Sequence, residues 1–238
     1  EQPLKWGSDR HRLARPGDFN VELGWDELQP GPNQLTVTGR YVNRYQAQAQ
    51  TTLQVTRGQS WPLPYAVDFS QLTDLQQAVQ VVDGQWELTG EGVRTMKPYY
   101  DRVLSLGDTT WRDYEALVHL TLHGFTPSEP GPPTYNVSHF GVALRWRGHH
   151  QQEGYQPSRK WYPLGAQGEF LLKADPDSCH FRILFDGGPG APPQTYSEVK
   201  KSYRRGHGMY LRAQVRTLPN GDSRYRFKQW LAGSSEPM

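Results

Sequence analysis

Apolar and polar residues alternate along most of the chain with a period of two. The alternation is clear in GVALRWRGHH (141–150), where Val142, Leu144 and Trp146 lie two residues apart. A period of two places these side chains on one face of a β-strand and the residues between them on the other face. The pattern therefore predicts an extended, half-buried strand in this segment.

The same alternation predicts strands over most of the sequence, separated by turn residues rich in Gly and Pro. The predicted strands are 19–23, 33–42, 51–56, 85–96, 101–107, 113–125, 139–150, 168–174, 179–186, 195–205, 208–218 and 223–233. Between the last two, Asn220-Gly221 is a strong signal for a tight hairpin turn. Many short strands without a regular strand–helix alternation predict an all-β chain that folds as an antiparallel β-sandwich.

One segment departs from this pattern and predicts a helix. In FSQLTDLQQAVQVV (69–82), Leu72, Leu75 and Val79 recur at three- and four-residue spacing. This spacing places them on one face of a helix, and Ser70 stands where an N-cap is expected. We expect a short helix here.

A Pro-bearing segment, RGQSWPLPY (57–65), interrupts the strand pattern ahead of this helix. We therefore divide the chain into two domains, 1–57 and 58–238. The composition supports β-layers in both, since the chain has 8 Trp and 13 Tyr but only 35% hydrophobic residues. Many aromatic and few aliphatic residues suit thin sheets with wet faces better than a helical bundle.

Charge and cysteine content limit the classes of function. The formal net charge is +2, so the overall charge does not favour binding to nucleic acid. The single cysteine, Cys179, excludes an intrachain disulfide and a multi-cysteine metal site. No apolar run approaches the roughly 18 residues of a membrane-spanning helix, and EQPLKWGSDR (1–10) has no signal-peptide pattern. We expect no membrane insertion.

Several segments carry a family resemblance. They are VVDGQWELTGEGVRT (81–95), YDRVLSLGD (100–108), WRDYEALVHLTLHG (111–124), GVALRWRGHH (141–150) and YLRAQVRTLPNGDSRYRFKQWLAGSSEP (210–237). Together they resemble the LamG-like jelly rolls of bacterial secreted proteins, within the concanavalin A-like lectin and glucanase superfamily. The earlier RHRLARPGDFNVELGWDELQPGPNQLTVTGRY (10–41) is similar to the second half of a bacterial Ig-like domain.

These resemblances imply a partial Ig-like β-sandwich followed by a jelly-roll β-sandwich, located outside the cell or on its surface. Since both families have further strands, they also imply that the chain is a piece of a longer protein. LamG-like folds often hold a structural Ca²⁺ through Asp and carbonyl oxygens, and we expect no other cofactor. The candidate carboxylates near strand ends, among which the sequence does not choose, are Asp101, Asp108, Asp175, Asp177 and Asp186.

The two-residue period also sorts polar residues of four predicted strands away from their apolar sides. If these strands share a sheet, their polar sides form one surface, and the resemblance implies that such an outer face holds sugars. Aromatic rings stack on pyranoses, while Arg, Gln and His bond to sugar hydroxyls and Arg also binds carboxylates. With two residues from the loop before 168–174, the predicted ligand-binding residues are Glu115, His119, His123, Arg145, Arg147, His149, Trp161, Tyr162, Tyr210, Arg212, Gln214, Lys228 and Trp230.

We therefore expect non-catalytic binding of an extracellular polysaccharide or glycoconjugate. One alternative is a lyase acting on an anionic polysaccharide, in which a base and carboxylate-neutralising groups are drawn from His119, His123, Arg145, Tyr210 and Gln214. A second alternative is a structural or adhesive module that contacts other proteins through exposed strand edges. The polar side of an antiparallel sheet is also commonly just solvated, and the pattern leaves this interpretation open.

Overall fold

A computed structural model describes the chain in segments. The described residues are 23–40, 47–58, 61–96, 102–124, 138–146, 149–150, 160–161, 165–173, 175–185, 195–196 and 200–238. The chain divides into two compact units, one formed by Val21–Ala66 and the other containing Val67–Met238. No helix in the described segments is long and apolar enough to cross a membrane.

The described residues form strands in both units, and every strand pair is antiparallel. The strands are β1 Gly31–Arg40, β2 Gln48–Arg57, β3 Gln80–Asp83, β4 Trp86–Thr89, β5 Gly92–Thr95, β6 Val103–Ser105, β7 Tyr114–Thr121, β8 His139–Leu144, β9 His149–His150, β10 Lys160–Trp161, β11 Ala166–Leu171, β12 His180–Phe185, β13 Thr195–Tyr196, β14 Gly208–Thr217 and β15 Ser223–Leu231. The described helical segments are single 3-10 turns, at Trp25–Glu27, Phe69–Gln71 and Leu75–Gln77. The all-β prediction is therefore confirmed.

The unit Val21–Ala66 contains one long hairpin of β1 and β2. Its two strands pair without interruption from Gly31 opposite Arg57 to Arg40 opposite Gln48. The Arg57 guanidinium donates a hydrogen bond of 2.6 Å to the Leu28 carbonyl oxygen. The predicted strands 33–42, as far as Arg40, and 51–56 correspond to this hairpin. Residues 19–22 and 41–42 lie outside the described residues, and the Ig-like assignment stays a prediction.

In the other unit, two sheets pack against each other in a β-sandwich-like arrangement. One sheet has the order β15-β14-β7 and the other the order β13-β12-β11-β8. Phe170 and Phe181 of the second sheet share one apolar core with Met209 and Leu211 of the first. The Phe227 ring of the first sheet packs directly against Gly168 of the second and leaves no space for a Cβ at that position. The jelly-roll order of strands stays a prediction.

The turn between β14 and β15 has the geometry that its sequence predicts. Gly221 has a φ of 88°, in the left-handed region that favours glycine. The turn is closed by hydrogen bonds from the Leu218 N–H to the Asp222 oxygen at 2.7 Å and from the Gly221 N–H to the Leu218 oxygen at 2.8 Å. This hairpin fixes the register of the two strands that contribute most to the surface described below.

The predicted helix over 69–82 is wrong. The backbone forms two separate 3-10 turns, because Leu72 and Asp74 between them are extended. Each turn begins at an aspartate whose side chain accepts a hydrogen bond from the N–H two residues later, Asp68 from Ser70 and Asp74 from Gln76. The spacing of apolar residues nevertheless marks burial, since Leu75, Ala78 and Val79 form a small core cluster.

Several predicted strands are shorter than the sequence pattern indicates: 85–96 is divided into β4 and β5, and 101–107 is reduced to β6. The segment 139–150 forms β8, which ends at Leu144, and the separate two-residue strand β9. Of 195–205, only Thr195–Tyr196 forms a described strand, and Lys201 makes an isolated bridge to Cys179. β8 also lies in the sheet opposite β7, β14 and β15. The predicted polar surface requires that four strands with polar sides share one sheet. Three of them do, namely β7, β14 and β15, and β8 does not.

Phe170 tests the shared core, because it is fully buried and stacks on Phe140 with ring centroids 5.4 Å apart. We expect Phe170→Ala to lower the free energy of unfolding by about 3–5 kcal/mol, the usual cost of removing a buried aromatic ring. Urea denaturation measures it. The control Leu117→Ala removes a 51% exposed side chain and should change stability by less than about 0.5 kcal/mol. Equal losses in the two variants would contradict the assignment of this core.

Candidate functional site

The solvent side of the sheet β15-β14-β7 brings together most of the predicted ligand-binding residues that are described. We call this surface the polar face. Its members are Glu115, Leu117, His119, Tyr210, Arg212, Gln214, Arg216, Arg224, Arg226, Lys228 and Trp230. They alternate with Met209, Leu211, Ala213 and Val215, which are buried in the core. The alternation of strand side chains therefore orients the whole surface.

Three rings form an aromatic row across the polar face. Tyr210 of β14 lies opposite His119 of β7 and Trp230 of β15. The Tyr210 and Trp230 rings stack with centroids 5.3 Å apart, and the His119 ring is tilted against Tyr210 at 4.8 Å. Cross-strand aromatic pairs of this kind stabilise a sheet, and here His119 is exposed while Tyr210 and Trp230 are half-buried.

The adjacent row is ionic and is built around Arg212. This residue lies opposite Lys228 in the β14–β15 ladder. Its guanidinium bonds to the carboxylate of Glu115 on β7 and, at 2.9 Å, to the carboxylate of Glu236 in the segment after β15. The second Glu236 oxygen accepts a hydrogen bond of 3.1 Å from the Lys228 ammonium. The Glu236 carboxylate thus bridges the two cations of the row.

Electrostatics keeps the Glu236 carboxylate ionised. The hydrogen bond from Lys228, followed by the charge of Arg212, lowers the pKa of Glu236 and outweighs the opposite effect of desolvation. On the neighbouring row, Gln214 donates a hydrogen bond of 3.1 Å to Glu115. Both carboxylates are therefore held by donors of the polar face.

The hairpin end of the polar face is cationic. Arg216 of β14 lies directly opposite Arg224 of β15, and Arg226 follows one row further. All three are exposed. Like charges at opposite positions of a ladder repel each other, and within the described residues Arg224 and Arg226 have no ion-pair partner. This end of the face therefore carries a local positive potential.

Arg145, predicted for this surface, lies elsewhere and has another role. Its φ of 53° is left-handed, so strand alternation ends at Leu144 and the side chain turns toward the edge of the opposite sheet. Its guanidinium donates hydrogen bonds to the carbonyl oxygen of Arg112 at 2.9 Å and to the hydroxyls of Thr217 and Ser223, both at 2.7 Å. Arg145 therefore links the two sheets and is not on the polar face.

The other predicted residues fall outside the polar face as described. His123 is exposed beyond the end of β7. Arg147 and Tyr162 lie outside the described residues. His149 and Trp161 are described by their backbone, which pairs them with each other in the two-residue strands β9 and β10. The structure therefore brings together Glu115, His119, Tyr210, Arg212, Gln214, Lys228 and Trp230 from the predicted set.

Sequence reasoning missed Glu236 and a second charged cluster on the outer side of the four-stranded sheet. Glu169 of β11 is 1% exposed and accepts a hydrogen bond of 2.7 Å from Arg182 of β12. The His139 Nε2 of β8 lies 3.6 Å from the other carboxylate oxygen. The sequence signal for the Glu169–Arg182 pair was one charged residue in each of two consecutive predicted strands, which pair as β11 and β12. Glu236 follows the last strand, where no periodicity indicates which way a side chain points.

The described candidate calcium ligands form hydrogen bonds or ion pairs with other residues of the chain. Asp108 accepts a hydrogen bond from the Thr110 N–H at 2.8 Å and Asp175 from the Asp177 N–H at 3.0 Å, as turn aspartates commonly do. Asp177 pairs with Arg204 at 2.8 Å. The described segments contain no group of three or more His, Cys, Asp and Glu residues arranged to hold a metal, and Asp101 and Asp186 lie outside them.

The chain matches no protein-family model, no curated protein and no solved structure. The resemblance to LamG-like jelly rolls therefore stays a prediction.

We predict that Arg145→Ala destabilises the fold by about 1–3 kcal/mol, because several hydrogen bonds to a partly buried guanidinium are lost. Chemical denaturation measures the change. The control is Arg94→Ala, which removes an exposed ion pair with Glu87 and should cost less than about 0.5 kcal/mol. Losses of the same size in both variants would show that Arg145 is not a structural link.

The Glu236 carboxyl should titrate below the ordinary glutamate range of about 4.3. A lowered folded-state pKa stabilises the fold above the ordinary pKa, and this contribution is lost as the pH falls through the lowered value. Carbon-detected NMR measures the titration. Lys228→Met should raise the midpoint because it removes the main donor, whereas Lys228→Arg should keep it low. An unchanged midpoint in Lys228→Met would refute the contact.

Proposed function

We propose that the polar face binds a polysaccharide or glycoconjugate without cleaving it. The observation that carries this proposal is the aromatic row of His119, Tyr210 and Trp230 lying directly beside a row of charged side chains on a solvent-facing sheet. A sugar has apolar C–H surfaces and many hydroxyls, so it needs rings and polar groups at adjacent positions.

The polar tips of the aromatic row are available to a ligand. Neither the Tyr210 hydroxyl nor the Trp230 indole N–H has a hydrogen-bond partner among the described residues, and neither atom is buried. The Arg212 guanidinium also lies 5.9 Å from the centre of the Trp230 ring, a distance at which a cation and an aromatic ring attract each other. These groups therefore form a pre-arranged surface, which lowers the entropy cost of binding.

Two features favour binding over cleavage. A glycosidase needs a carboxylic acid whose raised pKa lets it donate a proton, whereas the pKa of Glu236 is lowered. The lyase alternative assigns Arg145 to the neutralisation of a substrate carboxylate, but this side chain bonds to Arg112, Thr217 and Ser223 away from the polar face. A location outside the cell or on its surface belongs to the same proposal and rests on the LamG-like resemblance.

The test is binding to a panel of immobilised polysaccharides and glycoconjugates, followed by calorimetry on those that bind. We expect Trp230→Ala to weaken binding by about tenfold or more, as the loss of a stacked ring predicts. The matched control is Trp61→Ala in the unit Val21–Ala66, where Trp61 stacks on Tyr65 at 5.0 Å. This variant should bind like the wild type.

The proposal fails if the chain binds no member of the panel, or if Trp230→Ala and Trp61→Ala bind equally well. Appearance of unsaturated products, detected by ultraviolet absorbance after incubation with uronate polymers, would instead favour the lyase.

A further inference from the structure

The ionic row of the polar face holds a carboxylate in the way a ligand carboxylate would be held. The two oxygens of Glu236 are divided between Arg212 at 2.9 Å and Lys228 at 3.1 Å. Both cations belong to paired strands and occupy opposite positions of one ladder. Glu236 belongs to no strand, lies beyond β15 and is a third exposed. The backbone positions of the cations are therefore fixed, Glu115 of β7 stays paired with Arg212, and Glu236 is the exchangeable carboxylate.

The aromatic row lies at the right distance for one acidic sugar to use both rows. Arg212 and Lys228 are each two residues from Tyr210 and Trp230 along their strands, which corresponds to roughly 6–7 Å. A hexuronate carries its carboxylate directly on the pyranose ring, so a ring beside Trp230 places this group near the two cations. Further along the face, Arg226 and Arg224 offer charges for following residues of a polyanion.

We propose that Arg212 and Lys228 form a carboxylate subsite for an acidic polysaccharide, and that the Glu236 carboxylate occupies this subsite in the free chain. This inference rests on the proposed carbohydrate binding and adds the ligand class and an intramolecular competitor. Exposed ion pairs contribute little net stability because water competes for the same groups. A polymer with many carboxylates can therefore displace Glu236, while a neutral polymer gains nothing from its departure.

The experiment compares affinities for polygalacturonate, alginate and hyaluronate, each beside its own carboxyl-reduced form, by calorimetry. Removing the competitor with Glu236→Gln should tighten binding of at least one acidic polymer by about three- to tenfold and leave its reduced form unaffected. Lys228→Met should weaken binding of the acidic polymer and not of the reduced form. Glu87→Gln is the matched control, because it removes an exposed carboxylate paired with Arg94 away from this face.

The outcomes separate the two proposals. If the chain binds reduced polymers as well as or better than acidic ones, and Glu236→Gln changes nothing, the carboxylate subsite is refuted and carbohydrate binding stands. If Glu236→Gln and Glu87→Gln raised the affinity for the acidic polymer equally, the change in net charge alone would explain the gain. This result would also refute the subsite. If no variant binds any polymer of the panel, carbohydrate binding itself fails, and the subsite fails with it.

Discussion

The central position of β14 is the constraint on which the polar face depends. This strand pairs with β7 on one side and β15 on the other, and its alternate residues Met209, Leu211, Ala213 and Val215 are buried against the opposite sheet. A slip of one residue would bring Tyr210, Arg212 and Gln214 into that core and expose the apolar set. Because such a slip would bury charges at high cost, packing fixes the register, and the register fixes which side chains stand together. The buried apolar residues of β14 thus determine which of its polar residues lie together on the solvent side.

The charged residues of this chain divide into fixed and exchangeable groups. Glu169 is almost fully buried with Arg182, and a buried charge left without its partner is strongly destabilising. Arg145 is likewise committed to hydrogen bonds between the two sheets. Arg212 and Lys228 differ, because the carboxylate they share, Glu236, is exposed and outside the strands, although Arg212 also pairs with Glu115 of β7. The sequence does not distinguish these groups, whereas in the structure only the Glu236 contacts are exposed and lie outside the strands, as the proposed subsite requires.

The sequence predicted the elements that depend on local periodicity. The alternation marked the core of β14, and Asn220-Gly221 marked the turn that sets the register of β15. The sequence failed where a contact between distant residues overrides the local pattern. Arg145 continues the alternation in the sequence. In the structure the backbone N–H of Arg145 donates a hydrogen bond of 2.8 Å to the Tyr114 hydroxyl, and the strand ends before this residue. The helical spacing at 69–82 predicted burial correctly but the backbone conformation wrongly. Asp68 and Asp74 each cap a separate 3-10 turn, so no continuous helix forms.

The rings and cations of the polar face lie on paired strands, whereas Glu236 lies in the segment after β15. This difference determines which contacts the proposed binding would have to break. Trp230 and Lys228 lie on one strand, and Tyr210 and Arg212 on its ladder partner, so the spacing of their backbone positions cannot change without breaking backbone hydrogen bonds. Glu236 is held by side-chain contacts alone in the described residues, at an exposed position where such contacts exchange readily with water. Binding an anion therefore requires no rearrangement of the sheet. In the proposed subsite only the Glu236 carboxylate has to leave, and the row of rings beside it is the feature that would favour a sugar over a small inorganic anion.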